Sequence, residues 1–247
     1  MTAPQWQSED GIAFAHDGTR ARIRLERAEE GNGVTLTMLG RLARLIEQAG
    51  RSDHIHVLQL ESVGPDFCRG RDNRGESRAG LSTYEVRARF MQPVLDVYAA
   101  LRRCPQPALA VVRGQALGFG CALAGSCDIT LAAGGARFAL PEIDHQVPPA
   151  LAMAALQGRV PRKALDWLVY SGQAIDAGQA LQWGLASASW PDAEFAERAE
   201  GFAAQLAARP RAVLAAIKRF GASLQPRNPD DVDDYAGSLL AITRSQR

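Results

Sequence analysis

The side chains able to do chemistry gather in three stretches. Gly114 to Gly120 is a glycine-rich turn, and the apolar run Phe119 to Ser126 behind it reads as a short helix. Further on stands Pro141-Glu142, with His145 three positions beyond. A carboxylate and an imidazole are common general acids and bases, the imidazole because it titrates near neutrality when unperturbed. The third stretch, Val63 to Gly80, is punctuated by Gly64, Gly70, Gly75 and Gly80 and carries Arg69, Arg71, Arg74 and Arg78. Long ordered loops of this kind are often functional.

Several other chemistries are excluded. A dinucleotide fingerprint starting at Gly118-Phe119-Gly120 requires glycine at the place of Leu123, and no Gly-Lys-Ser/Thr step or G-x-S-x-G elbow occurs. Cys68, Cys104, Cys121 and Cys127 form no C-x-x-C pair, and His16, His54, His56 and His145 form no H-x3-H or H-E-x-x-H arrangement. Neither a zinc site nor a redox dithiol is therefore expected. The cysteines read as reduced and mostly buried.

The elements that position these stretches follow from periodicity. Ile12-Ala13-Phe14 and Ala21 to Leu25 flank Asp17-Gly18, which predicts a hairpin. Leu36, Leu39, Leu42, Leu45 and Ile46 recur at spacings of three and four, predicting an amphipathic helix over 35–48. A buried strand is expected at Ile55 to Leu60, and a helix from Ser82 to Leu101 that Pro93 kinks. Ala108 to Arg113 and Cys127 to Ala132 read as further strands. Recurrence of strand, turn, helix and strand predicts an α/β fold, a spiral of repeated ββα units, since one unit cannot bury its apolar face alone. Beyond about Ala150 the pattern is helical, over 161–170, 176–183, 192–208, 210–220 and 231–243. The expected division is a spiral core over 1–190 and a C-terminal helical region over 191–247.

The stretch from Val111 to Ile129, with Gly114-Gln115-Ala116-Leu117-Gly118-Phe119-Gly120-Cys121-Ala122 at its heart, closely resembles the signature of the enoyl-CoA hydratase/isomerase, or crotonase, family. Asp66-Phe67-Cys68-Arg69-Gly70-Arg71-Asp72, Ala136 to Ile143, and Ser171 to Ala177 ahead of Gly184-Leu185 fall in the family's order. The resemblance spans roughly residues 10 to 225.

It implies that a thioester carbonyl is held between two backbone amides, those of Arg71 and Phe119, with Glu142 as the catalytic carboxylate. One such donor is typically worth roughly 3–4 kcal/mol of transition-state stabilisation. Cys68, Gly70, Gly118, Gly120, Ala122 and Pro149 would border the substrate. Family hydratases carry two glutamates, and here Ala122 stands at the place of the first. A single retained glutamate resembles the Δ3,Δ2-enoyl-CoA isomerases, which need one base to shuttle a proton between two carbons. Hydration or another lyase or hydrolase reaction with an acid from elsewhere, and an acyl-CoA binding paralogue without turnover, are the alternatives. Arg69, Arg71, Arg74 and Arg78 would either meet the phosphates of CoA or form a solvated loop, and Asp72 would order that loop. Tyr84, Phe90, Met91 and Val94 would line an acyl tunnel or simply fill the core.

The remaining bounds are broad. The chain has 247 residues, 47% hydrophobic and 22% charged, enough for a sizeable core. With 28 basic against 27 acidic residues, a net charge of +1 gives no reason to expect nucleic acid or an anionic membrane as partner. No apolar run approaches the ~18 residues of a spanning helix and the first residues lack a secretory pattern, so a cytoplasmic location is the expectation. The resemblance implies no metal or organic cofactor, CoA being part of the substrate. It also implies a homotrimer or homohexamer, with Lys218 or Phe220 at the border of a neighbouring subunit's CoA.

Overall fold

The computed structural model describes residues 4–223 together with positions 230, 233, 234, 237, 238 and 241. The helix expected over 231–243 lies largely outside the described residues. The predicted hairpin is β2 (Ile12–Asp17) with β3 (Arg20–Leu25), turning through Gly18 at φ 65°, and β1 (Gln7–Glu9) adds an antiparallel edge. From β3 onward the sheet is parallel through β4 (Val57–Ser62), β5 (Ala108–Val112), β7 (Ile129–Ala133) and β10 (Ala188–Trp190). The observed β4 begins two residues later than Ile55, and β10 closes the far edge without having been legible in the sequence.

A second, smaller layer of pairing runs beside this sheet. Val34 bridges Arg71, Cys68 bridges Ala116, and β6 (Gln115–Leu117) pairs with β8 (Arg137–Ala139), which β9 (Ile175–Asp176) borders. Each turn of chain therefore leaves a strand in the large sheet, a short one in the small layer, and returns through a helix. This is the expected ββα spiral, and short strands such as β6 lie inside what the sequence showed only as glycine-rich turns.

The helices fill the space between turns. Helix α1 (Leu36–Arg51) starts where the Thr35 side chain accepts from Met38 N. It buries Met38, Leu39, Leu42, Leu45, Ile46 and Ala49, and each large apolar side chain so buried contributes about 1.5–3 kcal/mol. Helix α2 (Thr83–Val86) opens with a full capping box between Ser82 and Glu85. It runs through a π-helical turn, Arg87–Met91, into α3 (Gln92–Arg103). Pro93 has no N–H to donate, and Gln92 N bonds back to Arg87 O. The expected kink is thus a local widening of the helix.

Helix α4 (Phe119–Ser126) is buried along its whole length, whereas α5 (Ala150–Leu156), α6 (Arg162–Ser171) and α7 (Ala177–Gln182) are buried on one side. Helix α8 (Asp192–Ala207) lays Phe195, Ala199, Ala203 and Ala207 across Val57, Leu109, Leu131 and Ala133 on the sheet. Arg20, 3% exposed, fastens it there through Asp17 at 2.6 Å and Glu200 at 2.7 Å. No helix of the described residues is long and apolar enough to cross a membrane.

Two contacts hold the spiral's turns in register. Gly120 packs so closely that an added Cβ would stand 2.1 Å from the Cys68 carbonyl oxygen, so only glycine permits α4 to meet that strand. The second belongs to α9 (Arg211–Ser223), where Lys218 Nζ donates to Leu101 O at 2.9 Å and Gln106 O at 3.0 Å and pairs with Asp128 at 2.7 Å. The Leu101 carbonyl needs this donor because the residue four positions on is Pro105, which has no N–H. Lys218 is thus engaged within its own chain, though it also lines a cavity of about 700 Å³, while Phe220 is exposed. Lys218→Met is expected to cost about 2 kcal/mol by stranding these acceptors, read as a lower midpoint in thermal or urea unfolding. Gly120→Ala is expected to cost about 3 kcal/mol or to prevent folding, because the obstructing atom is main chain.

Candidate active site

A cavity of about 420 Å³ opens between the loop after β4, the start of α4, the segment Pro141–His145 and the helix over 83–103. The backbone at its back wall is set by two glycines. Gly70, at φ 112°, lets the chain leave its pairing with β6 and join Val34. There Val34 N donates to Gly70 O at 2.9 Å and Asp72 N donates to Val34 O at 3.0 Å. In a parallel ladder the intervening residue directs its polar groups to the other side, so the Arg71 N–H points away from Val34.

Gly118 makes the second turn, with φ 52° and ψ −116°, backbone that residues with a Cβ avoid. Its own N–H is used on Ala139 O at 2.9 Å, and Phe119 then begins α4. The Phe119 N–H is a first-turn donor that no helical carbonyl can reach, and no side chain caps this helix. Helix-start amides carry partial positive charge and suit an oxyanion.

Glu142 lies in the 3-10 turn Pro141–His145, whose start Pro141 favours with its fixed φ and whose exit is closed by Val147 N on Glu142 O at 3.0 Å. Its carboxyl reaches across to the glycine turn: a methyl group on Gly118 would stand 3.1 Å from Oε1. Glu142, Arg71 and Phe119, far apart in sequence, thus line one cavity, with Gly70, Gly118 and Pro149 also on its surface.

Cys68, Gly120 and Ala122, expected to border the substrate, do not line this cavity. Cys68 is fully buried and uses its N–H and C=O on Gln115 and Leu117, while burial pushes its thiol up to about 12, so it stays protonated. Gly120 serves the packing described above rather than ligand approach. Ala122 sits one turn inside α4 at 0% exposure, and the wall at the helix start is made by the rings of Phe119 and Tyr98, stacked 5.9 Å apart. All four cysteines are free and buried, as the sequence suggested.

The arginine loop is more ordered than a solvated loop. Asp72 receives Arg27 at 3.0 Å and Arg74 at 2.8 Å, and the Arg74 hydrogen bond, with help from Arg27, holds its carboxyl well below the usual range. Asp72 thus orders the loop as expected. Glu76, 7% exposed, binds Arg71 at 2.6 Å and Arg78 at 3.1 Å inside the cavity. This second carboxylate escaped sequence reasoning, since a lone glutamate in a charged loop carries no signal until a neighbour buries it. Phe90, Met91 and Val94 line the cavity, whereas Tyr84 is 78% exposed and belongs to neither tunnel nor core. Tyr98 is fully buried, and desolvation together with the Glu142 charge raises its phenol well above its ordinary value. His145 also reaches the cavity. Among the described residues no group of three or more metal-ligating side chains gathers.

Comparison with known proteins agrees with this arrangement. Enoyl-CoA hydratase domain-containing protein 3, mitochondrial, of Rattus norvegicus is 31% identical over 199 residues, which are 81% of this chain and 65% of that protein. The chain therefore spans just under two thirds of that relative's length. The 2,3-dehydroadipyl-CoA hydratase of Escherichia coli K12 is 30% identical over 198 residues, 80% of this chain and 76% of the relative. Among solved structures, human enoyl Coenzyme A hydratase domain-containing protein 3 superposes with a TM-score of 0.81 at 27% identity, covering 95% of this chain and 91% of that one. A probable enoyl-CoA hydratase from Mycobacterium smegmatis reaches 0.87 at 21% identity, over 96% and 95% of the two chains, and so supports the fold. With residues 17–233 matching the enoyl-CoA hydratase/isomerase family and the cavity built from that family's segments, the chain belongs to this family.

Proposed function

We propose that the protein is an acyl-CoA enzyme that moves a double bond from the β,γ to the α,β position through an enolate, with Glu142 as its only acid/base. One observation supports this reading: the Glu142 carboxyl lies against Gly118 in a cavity that Arg71 and Phe119 also line, and Ala122 offers no carboxylate. The thioester oxygen accepts from the two N–H groups. Negative charge that develops on it when the α proton leaves is met by donors already in place, without solvent rearrangement. Glu142 takes that proton and returns it at the γ carbon, so the carboxylate is regenerated and no water is consumed. Phe90, Met91, Val94 and Tyr98 line the same cavity as Glu142. Glu76, the cavity's other carboxylate, is engaged by Arg71 at 2.6 Å and Arg78 at 3.1 Å.

The names of the relatives favour a second reading, hydration of the α,β double bond. For that reaction His145 is the other proton carrier the cavity offers. Association into trimers or hexamers is also proposed, and the exposure of Val213, Ile217 and Phe220 on α9 supports it. A sedimentation mass of three or six chains is expected, and a monomer would contradict it.

β,γ-Unsaturated CoA esters are expected to give the α,β isomer with wild type, and Glu142→Gln to lower kcat by about 10³-fold or more with little change in KM. The readout is product analysis together with exchange of α protons into deuterated water. Robust hydration by wild type would replace the isomerase reading. Binding of the ester with no proton exchange would mark a non-catalytic acyl-CoA binding protein.

A further inference from the structure

The wall of the cavity formed by the loop after β4 is charged, which an alkyl tail does not need. Arg71 and Arg78 converge there on Glu76, and the three side chains are 14%, 26% and 7% exposed. Arg71 is fully employed on one edge, donating to Val34 O at 2.5 Å and to Glu76 at 2.6 Å. Arg78 gives Glu76 one bond at 3.1 Å and lies over the face of Phe90, its guanidinium carbon 4.9 Å from the ring centre. Its Nε is buried with no hydrogen-bond partner among the described residues. Asn73 lines the same wall.

Two cations against one anion leave this wall with a net positive charge in a space of about 420 Å³ that Phe90, Met91, Val94 and Glu142 also line. A purely alkyl acyl group entering here would strip water from the cluster and return no hydrogen bond, a cost that buried charges bear poorly. An acyl group ending in a carboxylate would instead give Arg78 a planar acceptor matched to its fork. In that arrangement Glu76 holds both guanidiniums at fixed positions and cancels part of their charge.

Resting on the acyl-CoA reading above, we propose that the preferred acyl group carries a terminal carboxylate, received by Arg78 on the wall that Arg71, Glu76 and Phe90 complete. Arg78 is accordingly a specificity-determining residue and takes no part in the proton transfers.

The test uses two saturated, unreactive CoA thioesters of equal chain length, one ending in a carboxylate and the other in a methyl group, titrated calorimetrically into the full chain. Wild type is expected to bind the carboxylated ester about ten- to a hundredfold more tightly, the range a charge-assisted hydrogen bond spans. Arg78→Met is expected to bring the ratio of the two affinities close to one. Because both ligands carry CoA, an equal loss for the two esters would assign Arg78 to the CoA phosphates and overturn the proposal, as would tighter binding of the methyl-ended ester by wild type. Binding of neither ester would sink the acyl-CoA reading itself, and this one with it. Glu76→Gln, which removes the internal competitor for both arginines, is expected to widen the wild-type ratio, and a narrowed ratio would count against the assignment.

Discussion

The closeness of Gly120 to the Cys68 carbonyl governs the geometry of the site. Cys68 and Ala116 form one rung of the small layer, with Cys68 N on Gln115 O at 3.0 Å and Leu117 N on Cys68 O at 2.9 Å. That rung places the turn at Gly70 beside the turn at Gly118, and a side chain at position 120 would push the two apart. Both proposed oxyanion donors hang from these turns. A main-chain contact of this kind is insensitive to side-chain motion, which suits donors that must be in place before charge develops.

Around that rung the charges are arranged on two sides of one loop. Asp72 gathers Arg27 and Arg74 on the outside, and Glu76 gathers Arg71 and Arg78 on the inside. The same short stretch thus carries the proposed amide donor of Arg71, the anchors that fix the loop, and a polar wall of the cavity. Lys218 plays a comparable part at the end of α3, completing a carbonyl that Pro105 leaves without a donor. In each case a charged side chain that looks like a ligand-binding group in the sequence is engaged by the protein's own structure.

The chemistry follows from what is absent at one position as much as from what is present at another. Ala122 is enclosed, and Phe119 and Tyr98 close the cavity beside it with stacked rings. In the isomerase reading proposed above, Glu142 works with the two amides, and the cavity's other carboxylate, Glu76, is occupied by Arg71 and Arg78.

Local pattern was enough for most of the helices, the hairpin and the spiral repeat, while α5 was not predicted from it and Glu142 was marked by family resemblance. Spacings of three and four in α1, the capping box at Ser82 and the Asp17-Gly18 turn act over a few residues, and their physics is written in consecutive letters. The short strands β6, β8 and β9 were hidden, because two or three residues become a strand only when a distant partner completes their hydrogen bonds. The same distinction runs through the site. Motif positions pointed to Glu142, Arg71 and Phe119, but only the tertiary structure shows that Cys68, Gly120 and Ala122 lie behind the cavity, that Lys218 is engaged within its own chain, and that Glu76 sits between two arginines. Burial and pairing are properties of neighbours in space, and a sequence names residues without saying which of them will meet.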